Sequence, residues 1–296
     1  MHLAKSRSVD PQQFLLHVCA VLGIAVVAAC HFWGSDESQI QPSFPIYSEL
    51  ENAVQGEESN AEAVLARKIA LLSEGQSFLA TRQYYTARIA KREVVGDELL
   101  DEHVIDLKYR QQPFSLYLDW LAGDEGREVL YVAGANDDCL LGHDGGWKVR
   151  LPAFWISPDS TLAMRDTRYP VTMAGLHGLV DLMLESHHDD LKFHRVASCS
   201  AVPDIEQNGR NCTVFTTFYR SPAVSATYRK SITWIDQEWN LPMKSVHFEW
   251  PRQPLPPDAD LDESTMIESY SFSNINFDAA LTDLDFDRHH PDYRFH

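Results

Sequence analysis

The chain has 296 residues, with 43 Asp or Glu against 25 Lys or Arg, and carries a net charge of −18 with histidine neutral. That excess of acid excludes a nucleic-acid partner, whose phosphates need clustered cations, and excludes attachment to anionic lipid headgroups by broad charge attraction. With 44% apolar residues, the chain is long enough to bury a substantial core.

Lys5 and Arg7 open a segment in which residues 14–29 contain nothing more polar than His17. The run is shorter than the roughly 20 apolar residues of a spanning helix, and it has the build of a cleaved export signal, so residues 1–29 are read as a signal peptide. Val27-Ala28-Ala29-Cys30 resembles a bacterial lipobox. Such a motif implies cleavage before Cys30 and lipidation of its thiol, with a diacylglycerol and an N-acyl chain of the palmitate kind. Several chains hold a protein on a membrane far better than one. His31, where aspartate would resemble a retention signal, favours the outer membrane. The expected location is therefore the bacterial cell envelope, with the protein lipid-anchored and facing the periplasm. The alternative is an ordinary signal cleaved after an alanine, with Cys30 incidental.

Residues 30–60 are rich in Ser, Glu, Gln and Pro and read as a flexible tether from Cys30. The remainder, 61–296, is expected to form a single domain. Asn60 suits a helix cap, and Leu65, Ile69, Leu72 and Leu79 follow at helical spacing, predicting a helix over 61–79. From Tyr84 the period changes to two, with Tyr85, Ala87 and Ile89 on one face. Strands are expected at 103–110, 114–121 and 127–133, and two shorter ones within 140–151 around the turn Asp144-Gly145-Gly146. The stretch 152–170 reads as irregular. Met173, Leu176, Val180 and Leu184 predict a second helix over 172–186. Strands are then expected at 193–199, 211–219, 226–236, 243–250 and 265–276. The fold class is α+β: a curved antiparallel sheet wrapped around two or more helices.

Cysteine is sparse once Cys19 leaves with the signal and Cys30 is lipidated. Cys199 and Cys212 flank a turn-rich loop and form a disulfide candidate, with two free thiols as the alternative. Cys139 reads as a small buried hydrophobe.

The stretches KREVVGDELL, QPFSLYLDWLAGDEGREVLYV, AMRDTRYPVTMAGL, GRNCTVF, LPMKSVHFEWP and ESYSFSNINFDAALTDLDFD, with HPDYRF at the end, resemble a bacterial family of secreted proteins of unknown function. In fold that family is similar to the lipoprotein carriers LolA and LolB and to the lipoprotein LppX. The resemblance covers about 61–295; His290 stands where the closing motif would have asparagine. It implies a half-open, LolA-like barrel around helices, with an apolar cavity that receives acyl chains.

The strands supply an inward apolar set for such a cavity: Leu107, Tyr109, Leu116, Leu118, Trp120, Leu130, Val132, Ile232, Trp234, Phe248 and Trp250. The same set also describes a packed core. Arg165, Arg168 and Tyr169 lie on a loop before the second helix, where they either gate the cavity mouth or pin the loop through local ion pairs. His187-His188-Asp189-Asp190 and the tail around Asp285, Asp287, His289 and His290 have metal-ligand residue types. Adjacent histidines on a helix end point apart, so no metal site is assigned. The chain has no GxSxG elbow, P-loop, dinucleotide fingerprint or HExxH. Neither a catalytic residue nor a cofactor is expected. The reading is a membrane-anchored protein that binds a lipid or a lipoprotein's acyl chain as carrier or chaperone. The rivals are a structural or adaptor module with a filled core and a metal-assisted hydrolase.

Overall fold

In the computed structural model the described residues are 61–146, 148 and 151–295. The expected signal, Cys30 and the tether lie outside them.

Helix α1 (Ala61–Ala80) buries Leu65, Ile69, Leu72 and Leu79, the spacing that predicted it, together with Lys68 and Gly75. Gly75 is there for room: a Cβ would lie 2.2 Å from the Asn240 carbonyl oxygen. Helix α2 (Gly175–Lys192) starts at Gly175, whose φ of +88° a side chain would strain. The Leu176 N–H, left without a helical acceptor, donates to the Tyr85 hydroxyl at 2.8 Å. The helix runs six residues past the predicted end, so His187 and Asp190 lie on its inner face and not at its terminus. The two helices are joined by Gln76 Nε2 donating to Asp181 Oδ1 at 2.6 Å. A third helix, α3 (Leu261–Thr265), is capped by Asp260, whose side chain accepts from Glu263 N–H.

Among the described residues twelve strands complete the fold: β1 (Tyr84–Val95), β2 (Glu98–Leu99), β3 (His103–Arg110), β4 (Ser115–Ala122), β5 (Glu128–Val132), β6 (Leu140–His143), β7 (Phe154–Ile156), β8 (Val196–Gln207), β9 (Arg210–Tyr219), β10 (Lys230–Asp236), β11 (Pro242–Phe248) and β12 (Met266–Asn276). Their order is β7-β6-β5-β4-β3-β1-β12-β11-β10-β9-β8, with β2 paired to β1, and every described pairing is antiparallel. The ends β7 and β8 do not meet. The sheet is therefore open, a half-barrel and not a closed one. One strand expected within 140–151 falls instead at β7, inside the stretch read as irregular.

Both faces of the sheet are covered at β4, β5 and β6. The helix-facing side packs Tyr85, Ala87, Ile89, Ile105, Leu107 and Leu118 against α1 and α2. On the opposite side Tyr117, Leu130 and Leu141 pair in register across β4, β5 and β6 and are covered by Phe286, Tyr293 and Phe295 from the C-terminal segment. Tyr293 stacks on Tyr117 with ring centroids 3.7 Å apart. The segment is tied down further by Arg294 N–H donating to buried Glu128 Oε2 at 2.8 Å and by Lys108 on Asp285 at 2.7 Å.

Candidate functional site

Alternation on β1 sends Tyr85, Ala87, Ile89, Lys91 and Glu93 to the helix-facing side, and register carries that side across the sheet. Ile89 lies opposite Ile105 and Phe272, Ile105 opposite Trp120, and Leu118 opposite Val129. Where α2 and the segment 154–174 arch over this floor they leave a cavity of about 230 Å³. Ile89, Ile105, Leu118, Trp120, Val129 and Leu140 line it from the strands; Leu179, Leu182 and Met183 line it from α2. Ala163, Val171 and Ile156 contribute from the arching segment and β7. The volume exceeds the ~150 Å³ at which an apolar protein cavity takes up benzene and falls just below the ~300–1,000 Å³ of drug-sized sites. It suits one extended chain and not several.

The cavity has a polar end. Glu93 and Glu268 face each other directly across β1 and β12, each 2% exposed. Glu93 accepts from Tyr270 and from Lys91 Nζ at 2.8 Å. Glu268 accepts from the Tyr228 hydroxyl at 2.8 Å and the Tyr169 hydroxyl at 3.2 Å, and Arg168 Nε lies 2.9 Å from it. Burial raises the Glu268 pKa, with Arg168 working against that rise. Burial also lifts the Tyr169 and Tyr228 phenols well clear of neutral pH, Glu268 adding to it. These tyrosines are therefore fixed donors.

His187 and His247 line the same end. His187 is 3% exposed, its Nδ1 lies 3.2 Å from Asp190 Oδ2, and the same carboxylate oxygen accepts from the Tyr219 hydroxyl at 3.0 Å. Burial, then the charge of Lys68, pushes the His187 pKa down to about 4; burial takes His247 to about 3. Both rings are neutral at pH 7. Lys68, wholly buried on α1, donates to Thr233 Oγ1 at 2.9 Å, and burial lowers its pKa to about 8.

The arching segment is pinned at its other end. Asp166 closes on Arg127, Lys91 Nζ reaches the Asp166 carbonyl at 3.5 Å, and Arg165 bonds Asp144 at 2.6 Å. Burial works against the Asp166 charge, yet Arg127, Lys91 and Arg165 together hold its pKa below the usual carboxylate value.

Of the residues singled out from the sequence, Leu118 and Trp120 line the cavity, as do Arg165 and Tyr169; Arg168 reaches it through Glu268. Leu107, Tyr109 and Leu116 face the helices as packed core, with Tyr109 stacked on His177 of α2 at 4.7 Å. Trp234 and Phe248 are buried outside the cavity, and half-buried Trp250 donates Nε1–H to the Ser225 carbonyl at 2.8 Å. Leu130 and Val132 have the opposite parity from Val129 and belong to the outer cluster, which corrects their assignment to the cavity. Cys199 and Cys212 are free thiols: hairpin register sets Cys199 opposite Thr217 and Cys212 opposite Ile205, six residues further along β8, too far apart to bridge. Cys139 is also free and only half-buried. His187 turns inward while His188 is exposed, and among the described residues no group of three or more His, Cys, Asp or Glu is placed to hold a metal. Sequence reasoning missed Glu93, Glu268, Tyr228, Tyr270 and His247. For all but Tyr228, which lies in the loop before β10, the available signal was inward strand parity, which for Glu93 follows directly from Tyr85, Ala87 and Ile89.

An open antiparallel half-barrel folded over two helices, with a cavity apolar along its length and polar at one end, defines this molecule's class. Residues 82–295 match DUF1571, described as a protein of unknown function, and the chain belongs to that family. No curated protein sequence matches it. Among solved structures, the MucA/MucB complex of Pseudomonas aeruginosa is similar at 14% identity and a TM-score of 0.42, over 75% of this chain and 60% of that one. The lipoprotein LppX of Mycobacterium tuberculosis is similar at 14% identity and a TM-score of 0.41, over 73% and 99%. A LolA-superfamily protein of Nitrosomonas europaea matches at 12% identity and a TM-score of 0.30, over 74% and 96%. At these scores the likeness is general, and the fold class rests on the strand order.

Proposed function

We propose that the protein is a non-catalytic envelope protein that binds a single acyl chain in the cavity between α2 and the sheet, as a carrier or chaperone for a lipid or for a lipoprotein's acyl group. The observation behind this is the cavity itself, about 230 Å³ and lined along the strands by Ile89, Ile105, Leu118 and Val129. Burial is worth about 0.8 kcal/mol per CH₂, so eight methylenes supply about 6 kcal/mol before ordering costs, and no covalent step is needed for capture and release. In this reading Cys30 carries the lipid anchor, residues 30–60 act as the tether, and the protein works at the periplasmic side of the outer membrane.

The test is native mass spectrometry on the exported chain carrying Cys30→Ser, purified without detergent. A co-purifying or added lipid that binds at one equivalent and is lost on denaturation is expected. Ala163→Trp, which puts an indole into the cavity, should abolish binding while leaving the melting transition cooperative. A protein that binds neither a fatty alcohol nor a lipopeptide would refute the proposal.

A further inference from the structure

The polar end of the cavity holds more hydrogen-bonding capacity than the fold uses. Among the described residues, His187 Nε2 and His247 Nδ1 are buried without a protein partner, and both side chains line the cavity. Ser231 Oγ and Ser245 Oγ are in the same condition. Register gathers them: Ser231 lies opposite His247, and Ser245 lies opposite Thr233, the acceptor of the Lys68 bond. Ser231, Thr233 and Ser245 thus share the helix-facing side of β10 and β11 with His247, which lines the cavity. Buried polar atoms are overwhelmingly paired in native proteins. Of the four, the atoms on His187 and His247 belong to side chains that line the cavity, where a bound polar group can pair with them.

The chemistry of that group follows from His187. Its Nδ1 lies 3.2 Å from Asp190 Oδ2. A carboxylate only accepts, so the ring proton sits on Nδ1. The ring is neutral at pH 7, burial and Lys68 having lowered its pKa to about 4. Nε2 is then a bare lone pair without a protein partner, on a side chain that lines the cavity, and it needs a donor. The charges around it do not invite an anion. Glu93 and Glu268 are buried in the lining of the same cavity, and Lys91 and Arg168 are each closed on one of them. Lys68 faces Asp190, which lowers the attraction it offers.

We propose, building on the acyl-binding reading above, that the cavity selects lipids whose first polar group beyond the chain carries a hydrogen-bond donor, a hydroxyl or an amide N–H, received by His187 Nε2. Such a donor comes from two sources: the hydroxyl of a fatty alcohol, and the N-acyl amide of a lipopeptide. A lipid ending in an ester carbonyl, or a fatty acid present as its carboxylate, offers no donor and leaves Nε2 unpaired.

The test compares three probes of equal chain length, tetradecanol, tetradecanamide and methyl tetradecanoate, displacing a fluorescent fatty alcohol from the Cys30→Ser chain. The alcohol or the amide is expected to bind about tenfold tighter than the ester, the scale of one buried hydrogen bond against an unpaired acceptor. Preference for the alcohol points to a fatty-alcohol source and preference for the amide to a lipopeptide source. His187→Leu removes the acceptor and should bring the three affinities together by weakening the donors alone, while His187→Gln, which keeps an acceptor, should restore part of the preference. Equal binding of all three probes to the unmutated protein would overturn the donor rule and leave acyl binding standing. So would an unchanged preference in His187→Leu. Failure of every probe to bind would overturn both.

Discussion

Lowering the pH from 7 to 5 should destabilise this protein through His187, and the amount can be worked out. The native ring has a pKa of about 4 against 6.5 when exposed, because burial and the charge of Lys68 disfavour the imidazolium. A base whose native pKa is depressed contributes nothing above 6.5, where both states are neutral. As the pH falls from 6.5 towards 4 the unfolded chain takes up a proton that the native state refuses, and stability is lost over that window. Between pH 7 and pH 5 the loss is about 2 kcal/mol, rising to about 3 kcal/mol below pH 4. For a domain of this size that is about 4–8 °C in melting temperature. His247 acts in the same direction, so the informative quantity is a difference. Urea or thermal unfolding followed by circular dichroism, at pH 7 and pH 5, should show a smaller pH effect in His187→Gln than in the unmutated chain by about 2 kcal/mol. Lys68, with a pKa lowered to about 8, titrates above this window and does not confuse it. Equal pH dependence in the two proteins would refute the neutral, Asp190-bound histidine on which the donor rule rests.

Three further outcomes follow from the packing. Gly75→Ala puts a methyl 2.2 Å from the Asn240 backbone oxygen, which has no flexible side chain to yield; a lowered urea midpoint is expected, worth about 1–3 kcal/mol, and an unchanged one would mean that α1 does not seat against that turn. Tyr293→Ala removes the ring stacked on Tyr117 and should cost about 3 kcal/mol, read as a lower melting temperature with lipid stoichiometry preserved. Thiol labelling of the native protein should modify half-buried Cys139 while sparing buried Cys199 and Cys212, and all three should react in denaturant without reductant; a pair that resists would contradict the β8–β9 register.

How far the sequence could be read depended on whether a property was local. The spacing of Leu65, Ile69, Leu72 and Leu79 defined α1, and alternation from Tyr85 to Ile89 defined the inward face of β1, because both depend on neighbours three or two residues away. Alternation also separates Val129 from Leu130 but does not say which of them faces the cavity. Both are apolar, since the C-terminal segment supplies Phe286, Tyr293 and Phe295 to bury the outer face as well. The Cys199–Cys212 spacing hid the hairpin register, which Asn208-Gly209 sets by turning the chain at that point. The end of α2 was misplaced because His187-His188-Asp189-Asp190 looks like a polar terminus, whereas two of those four are turned inward and bonded to each other. Glu268 was invisible for a similar reason. A charged residue in a strand reads as solvent-facing until the cation and phenols that satisfy it are known, and Arg168, Tyr169 and Tyr228 come from segments 40 to 100 residues away.

The pairing of Glu93 with Glu268 is also the feature least explained by stability alone. Two carboxylates opposite one another on adjacent strands repel, and taking them out of water costs more than an apolar pair of the same size would. Three tyrosines, a lysine and an arginine are needed to satisfy them. A buried polar network of this kind is better evidence for position than for stability. What it positions is visible in the partners: Arg168 and Tyr169 belong to the segment that arches over the cavity, which Asp166 and Arg165 also fasten through Arg127 and Asp144. The segment is thereby held to the sheet at both a surface rim and a buried base. The space beneath it stays open because polar bonds, and not apolar side chains filling it, keep the arch in place. A cavity supported in this way persists without a ligand, which is what a preformed binding site requires.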